Sequence, residues 1–181
     1  MTDEPEPEQT SHPIETELEA LYSRLDAAVA ERSPVCRISG RCCRFREHGH
    51  TLFLSSIEFE YLVTKAPPPI RPIDDGATCP WQDLAGRCTA RTARPLGCRV
   101  YFCDPAYEGE APELTERFLA ELKRLAERHG RTWNYAPLHR HLRDGGSSSA
   151  DADPIPPFCE GPSANSDAQR PGLERGAGFF S

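Results

Sequence analysis

Apolar positions recur every three or four residues in two stretches of the chain, and each predicts a helix with one buried face. In the first, over Ser11 to Arg32, Ile14, Leu18, Leu21, Leu25 and Val29 share a face. Ser11 suits the N-cap and Pro13 the first turn, and the role of this helix is packing. In the second, over Pro112 to His129, Leu114, Phe118, Leu122 and Leu125 line one face, with Leu119 and Ala126 beside them. Pro112 fits the opening position and Gly130 the position past the end. A third, shorter helix is predicted by its start: Ser55 with Glu58 three residues on is a capping box, opening a helix through about Thr64. Ala66-Pro67-Pro68-Pro69 stops it, because proline neither donates a hydrogen bond nor fits the preceding turn. Thr51 to Leu54 and Thr132 to Leu142 read as short strands, the second closing the fold.

Two long stretches carry no period. Pro34 to His50 is a loop, and residues 71–107 alternate Gly, Pro and Cys without any regular face. A loop as long as the second fits a compact fold only if something staples it. The pattern therefore predicts a mainly α fold with irregular cysteine-rich loops, a small α+β arrangement being the variant. About three helices pack around a metal-stapled centre. With 18 Pro and 13 Gly among 181 residues, the core is small and the loops are many.

Charge divides the chain into three parts. Residues 1–20 hold seven acidic side chains and no Lys or Arg; residues 144–181 hold six acids and two Arg. Residues 21–143 hold 15 acids against 19 Lys or Arg, so the formal charge of −7 belongs to the ends. This gives an acidic flexible N-terminus over 1–10, a cysteine-cluster domain over 11–143 with its core motif at 36–103, and a tail over 144–181 whose Gly, Ser, Asp, Ala and Pro predict disorder. No stretch approaches the roughly 18 consecutive apolar residues of a membrane span, which excludes a membrane role for a helix. Met1 to Thr10 has no apolar signal region, so the expected location is cytoplasmic.

Eight cysteines in a chain read as cytoplasmic change the picture most. In a reducing compartment, clustered cysteines bind metal or do redox chemistry more often than they pair as disulfides. They fall into two groups: Cys36, Cys42 and Cys43, then Cys79, Cys88, Cys98 and Cys103. Thiolates are soft donors for zinc or for an iron–sulfur cluster, so the expected cofactor is zinc or iron. One site drawing on both groups would tie together segments some 40 residues apart. No C-x2-C pair occurs, which argues against a zinc ribbon, a zinc finger or a thioredoxin-like site. In extended chain the adjacent side chains of Cys42 and Cys43 would point apart, serving two metals or leaving one of them idle. Cys159, after Pro156-Pro157-Phe158, reads as a free thiol.

Arginine follows cysteine along the chain. Arg37, Arg41, Arg44 and Arg46 accompany the first group; Arg87, Arg91, Arg94 and Arg99 accompany the second. Four thiolates around Zn²⁺ carry a formal charge of −2, which guanidinium groups offset while favouring the thiolate form. The competing reading of these arginines is a nucleic-acid surface, but no aromatic-rich binding motif accompanies them. His48 and His50 follow the first group and would complete a Cys₃His site, although exposed loop histidines is the plainer reading. His139 and His141 alternate on the closing strand and read as surface residues.

The ordered motifs Cys36…Cys42-Cys43, Cys79-Pro80-Trp81, Gly86-Arg87-Cys88 and Arg94-Pro95-Leu96-Gly97-Cys98-Arg99-Val100-Tyr101 resemble the YkgJ-type cysteine-cluster family, described as a zinc- or iron-chelating domain. The resemblance covers residues 36–103 and implies metal chelation without implying a reaction. The family pattern has eight cysteines, whereas seven fall in the matching region here. Within it, Pro95 stiffens the turn into Cys98, and Arg94 or Arg99 aims donors at a metal-bound sulfur or a backbone carbonyl.

Three function classes follow. The first is a metal-binding protein with a structural or accessory role. The alternative is an iron–sulfur redox enzyme or an accessory subunit of one, against which stands the lack of a glycine-rich nucleotide loop or a Ser/His/Asp arrangement. The third is an adaptor that uses zinc for shape and binds an unknown protein partner. Whether the chain is an enzyme is left open by the sequence.

Overall fold

The computed structural model describes residues 13–73 and 76–145. The acidic start, the tail from residue 146 and Cys159 lie outside the described residues.

The two periodic stretches form the long helices α1 (Pro13–Glu31) and α4 (Ala111–Arg128). Their apolar faces meet: Leu18, Leu21, Tyr22, Leu25 and Val29 of α1 pack with Leu114, Phe118, Leu122, Leu125 and Ala126 of α4. The two helices run antiparallel, as their flanking ion pairs record. Glu17 meets Arg128 at 2.5 Å, Arg24 meets Glu121 at 2.6 Å, and Arg32 meets Glu110 at 2.6 Å. Gly130 sits at φ 60 past the end of α4, and the Arg131 amide donates back to the Ala126 carbonyl at 2.9 Å, closing the helix as the sequence predicts.

The capping box also forms. The Ser55 hydroxyl accepts from the Glu58 amide and the Glu58 carboxylate accepts from the Ser55 amide, opening α2 (Ser56–Lys65), which ends at Ala66. Before it lies β1 (Phe53–Ser55), paired antiparallel with β2 (Tyr135–Pro137) in the register Phe53–Pro137, Leu54–Ala136, Ser55–Tyr135.

The closing segment departs from expectation. Only Tyr135–Pro137 is strand; Leu138–Arg143 is helix α5. His141 is therefore not a surface residue on a strand. It is buried, stacked on Phe59 at 5.1 Å, with its Nε2 donating to the Leu54 carbonyl at 2.9 Å. Burial lowers its pKa, so the ring is neutral and serves as a packing element. His139 is half-buried.

The apolar interior is divided in two. The first core is the α1–α4 cluster, to which Ile57, Leu96 and Val100 add. The second holds Cys43, Phe45, Leu52, Leu54, Phe59, Leu62, Cys79, Trp81, Ala90, Ala93 and Leu138. No described cysteine belongs to the first core, so the three main helices do not surround the cysteines; the thiols form a lobe beside them. A further helix inside the aperiodic stretch, α3 (Leu96–Val100), joins the lobes. Two residues apart on a helix are opposite faces, so Leu96 and Val100 enter the helical core while Cys98 packs against the second.

Two buried polar residues hold this junction. The Glu58 carboxylate, 1% exposed, accepts from Tyr22 Oη at 3.1 Å, the Leu96 amide at 2.7 Å, and the Ser55 amide and hydroxyl, each at 2.9 Å. Arg99 donates to the carbonyls of Arg94 and Thr92, pairs with Asp26 at 2.6 Å, and lies over the Tyr22 ring at 4.1 Å. Arg99 thus faces α1 and not the sulfurs.

Candidate functional site: a cysteine-lined cleft

The two cysteine groups meet through backbone before they meet through sulfur. Arg41–Cys43 is a single 3-10 turn, and the Cys79 amide donates to the Cys43 carbonyl at 2.8 Å. Residues 79–89 form a narrow hairpin: Gln82 bridges Cys88, Thr89 donates to the Trp81 carbonyl at 2.8 Å, and Asp83 to that of Arg87 at 2.8 Å. Gln82, buried, then clamps the two loops by donating to the carbonyls of Gly40 at 3.0 Å and Gly86 at 3.1 Å. Gly40 is required here. It sits at φ 68, and a Cβ would come within 2.4 Å of the Gly86 carbonyl oxygen.

The 3-10 turn answers the question posed by the adjacent pair. Successive side chains on such a turn are rotated by roughly a third of a circle, not half as in a strand. The Cys42 and Cys43 sulfurs consequently lie 3.9 Å apart. Cys43 and Cys79 are buried in the second core, and Cys42, Cys88 and Cys98 pack against it. Five of the seven expected cysteines are thereby brought together. Cys36 and Cys103 stand further out on the same cleft: Cys36 is exposed, and Cys103 Sγ lies 3.7 Å from Ser39 Oγ. The cleft that all seven line has a volume of about 510 Å³. Among the described residues, no three His, Cys, Asp or Glu side chains surround a common point as tightly as a bound metal ion requires. The one sulfur–sulfur contact recorded among the described residues is that between Cys42 and Cys43.

The thiols do not share one protonation state. Cys42 is lowered to about 6, first by the Cys43 thiol donating to it and then by the charges of Arg94 and Arg91. Cys88 is lowered to about 7, again first by Cys43, with the Ala90 amide and Arg94 assisting. Cys43 is pushed up, first by its neighbour Cys42 and then by Cys79, Cys88 and burial. Cys98 is pushed well up by burial. Lowering a thiol's pKa favours the thiolate, the nucleophilic and ligating form of cysteine.

The arginines sort by position. Arg37, Arg87, Arg91 and Arg94 line the cleft. Arg94 donates to the carbonyls of Arg91 at 3.1 Å and Cys98 at 3.4 Å, the backbone-directed one of the two roles the sequence left open. Arg44 pairs with Glu47 and the Ser39 carbonyl, and Arg87 pairs with Asp83. Neither expected histidine joins the sulfurs through its ring. His50 stacks on Tyr101 at 4.8 Å, meets Phe45 edge-on, and points Nε2 at the Cys42 carbonyl at 3.4 Å; His48 Nε2 lies 3.5 Å from Glu47. His50 instead supports the Cys42 backbone. Sequence reasoning missed Gln82, Gly40 and Glu58 as supports of the site; of these, only Glu58 carried a signal, as half of the capping box.

Comparison with protein-family models, with curated proteins and with solved structures gave no match to this chain. No helix among the described residues is long and apolar enough to cross a membrane.

Proposed function

We infer that the chain chelates a thiophilic cation in the cysteine cleft, in a structural or accessory role. The observation that carries this reading is the gathering of Cys42, Cys43, Cys79 and Cys88, from segments nearly forty residues apart, in one core and along one cleft, from which they would close on the ion as it binds. With Zn–S bonds of about 2.3 Å, the edge of a tetrahedral four-thiolate site is roughly 3.8 Å. The 3.9 Å between the Cys42 and Cys43 sulfurs fits that edge. Contact between thiols favours one ion over an iron–sulfur cluster, whose own iron and sulfide would hold the thiolates further apart. Zinc is the best candidate, and a single iron in the same four sulfurs is the second.

Those four cysteines would be the ligands, with Cys98 adjacent. The ion would supply cross-linking of two loops and, as ligands lose protons on binding, folding free energy to the lobe. Arg91 and Arg94 would offset the formal −2 charge of the loaded site, and the Ala90 amide would steady Cys88. The motif order that resembles the YkgJ-type family implies the same property.

The test is anaerobic purification with elemental analysis. The expected result is one zinc per chain and a colourless protein. Cys79→Ser and Cys43→Ser should each lose more than about 90% of it, while Cys103→Ser and Cys159→Ser keep it. Equal retention in all four variants would remove the ligand assignment, and absorption near ~400 nm with two or more irons would replace zinc by a cluster.

A further inference from the structure

Cys42 and Cys43 are neighbours in the chain, and their sulfurs lie 3.9 Å apart. The backbone keeps them together. The Cys43 amide donates to the Gly40 carbonyl at 3.1 Å and the Arg44 amide to the Arg41 carbonyl at 3.0 Å, which fixes both residues in one 3-10 turn. In a strand the two thiols would face opposite ways and could not react with each other. Here rotation about the side-chain bonds is enough to bring the sulfurs from contact to the ~2.05 Å of a disulfide.

The two thiols differ in access. Cys43 is 4% exposed, in the second core. Cys42 is half-buried and lines two openings. One is the cysteine cleft; the other is a second cavity of about 430 Å³, with Phe45, His50, Tyr101 and Phe102 among its walls. A small oxidant therefore meets Cys42 first, with Cys43 beside it as the thiol that resolves the product.

We propose that Cys42 and Cys43 are a modification site at which hydrogen peroxide closes a reversible disulfide between the two neighbouring residues. Cys42 Sγ attacks one peroxide oxygen. The S–O bond forms, the O–O bond breaks, and the departing hydroxide leaves as water with the Cys42 proton. Cys43 Sγ then attacks Cys42 Sγ. The S–S bond forms, the S–O bond breaks, and the second hydroxide leaves as water with the Cys43 proton. The thiol pair loses two electrons and the peroxide gains them. Consecutive Cα atoms are about 3.8 Å apart, short of the roughly 4.4–6.8 Å usual across a disulfide. The closed ring is therefore strained and readily opened by a small thiol, which suits a reversible mark better than a permanent cross-link. One consequence rests on the zinc reading above: closing the bond removes two of the four ligands, so the ion is released.

The test treats the full reduced chain, with and without zinc, with equimolar hydrogen peroxide, followed by alkylation and trypsin. Arg41 and Arg44 flank the pair, so cleavage frees Cys42-Cys43-Arg44 as a tripeptide. The expected product is that tripeptide, two hydrogens lighter and unalkylated, with both thiols restored by dithiothreitol. In Cys43→Ser, Cys42 should stop at the sulfenic acid, which dimedone traps. In Cys42→Ser, peroxide-dependent loss of the Cys43 thiol should slow several-fold. The tripeptide joined to the peptide of Cys79, Cys88 or Cys98, or still alkylated at both cysteines, would overturn the proposal and leave the metal site standing. The closed tripeptide from a chain that binds no zinc would support the proposal and remove the metal reading. From zinc-loaded protein, a zinc-sensitive dye should record one ion released per disulfide; an ion retained beside the closed disulfide would overturn the coupling between them.

Discussion

The helical core and the cysteine lobe lie side by side and are closed by different physics. The α1–α4 core is made of Leu, Val, Tyr and Phe from faces that periodicity defines, and its largest members are fully buried. Its stability is the removal of apolar area from water, about 25 cal/mol per Å². The cysteine lobe has aromatic anchors in Trp81 and Phe45, but much of its interior is Ala90, Ala93, Cys43 and Cys79, which bury little area each. What organises it is hydrogen bonding between loops through Gln82 and the Cys79 amide. One half is closed by apolar burial, whereas the other collects five cysteines in and against a smaller core.

The largest expected effect lies in the helical half. Phe118→Ala, fully buried on α4 in the helical core, should cost about 3–5 kcal/mol in urea unfolding, with and without zinc alike. Next is Gly40→Ala in the other half. A left-handed position and a contact of 2.4 Å together should cost about 2 kcal/mol and weaken zinc binding, with helical circular dichroism retained. Loss of helix signal in that variant would mean that the two halves fold as one unit.

The smallest effect is a slope, at the junction. Burial raises the Glu58 carboxyl above its usual range despite four donors. The native state then holds a proton that the unfolded chain releases. Its contribution is fully present below the usual Glu value near ~4.3 and is lost as pH rises through the raised native value. Glu58→Gln should flatten the fall in stability over that window; an unchanged slope would place the titration elsewhere.

How much of this was legible in the chain follows from the range of the forces. The helices α1, α2 and α4 were legible because their determinants are local: one apolar face, a capping box, a Pro stop and a C-terminal Gly. α3 was not, since five residues hold barely one turn and what fixes it is distant, the Glu58 carboxylate on the Leu96 amide and Asp26 on Arg99. The strand expected over Thr132 to Leu142 gave way after Pro137, where Leu138 turns into the cysteine core and His141 under Phe59. The cysteines were legible as a set, and their division into five inner and two outer positions was not. That division depends on the 3-10 turn at Arg41–Cys43 and on the Gly40–Gly86 contact, neither of which spacing encodes.

The central claim is that a cation closes the cysteine lobe and not the helical core. Native-state hydrogen exchange on the zinc-loaded and the chelator-stripped protein tests it amide by amide. The account predicts that stripping raises exchange at Cys43, Cys79, Gln82 and Thr89 by at least about tenfold, roughly 1.4 kcal/mol of local opening, and leaves Leu25 and Leu122 unchanged. Equal protection of the lobe in both states would contradict it.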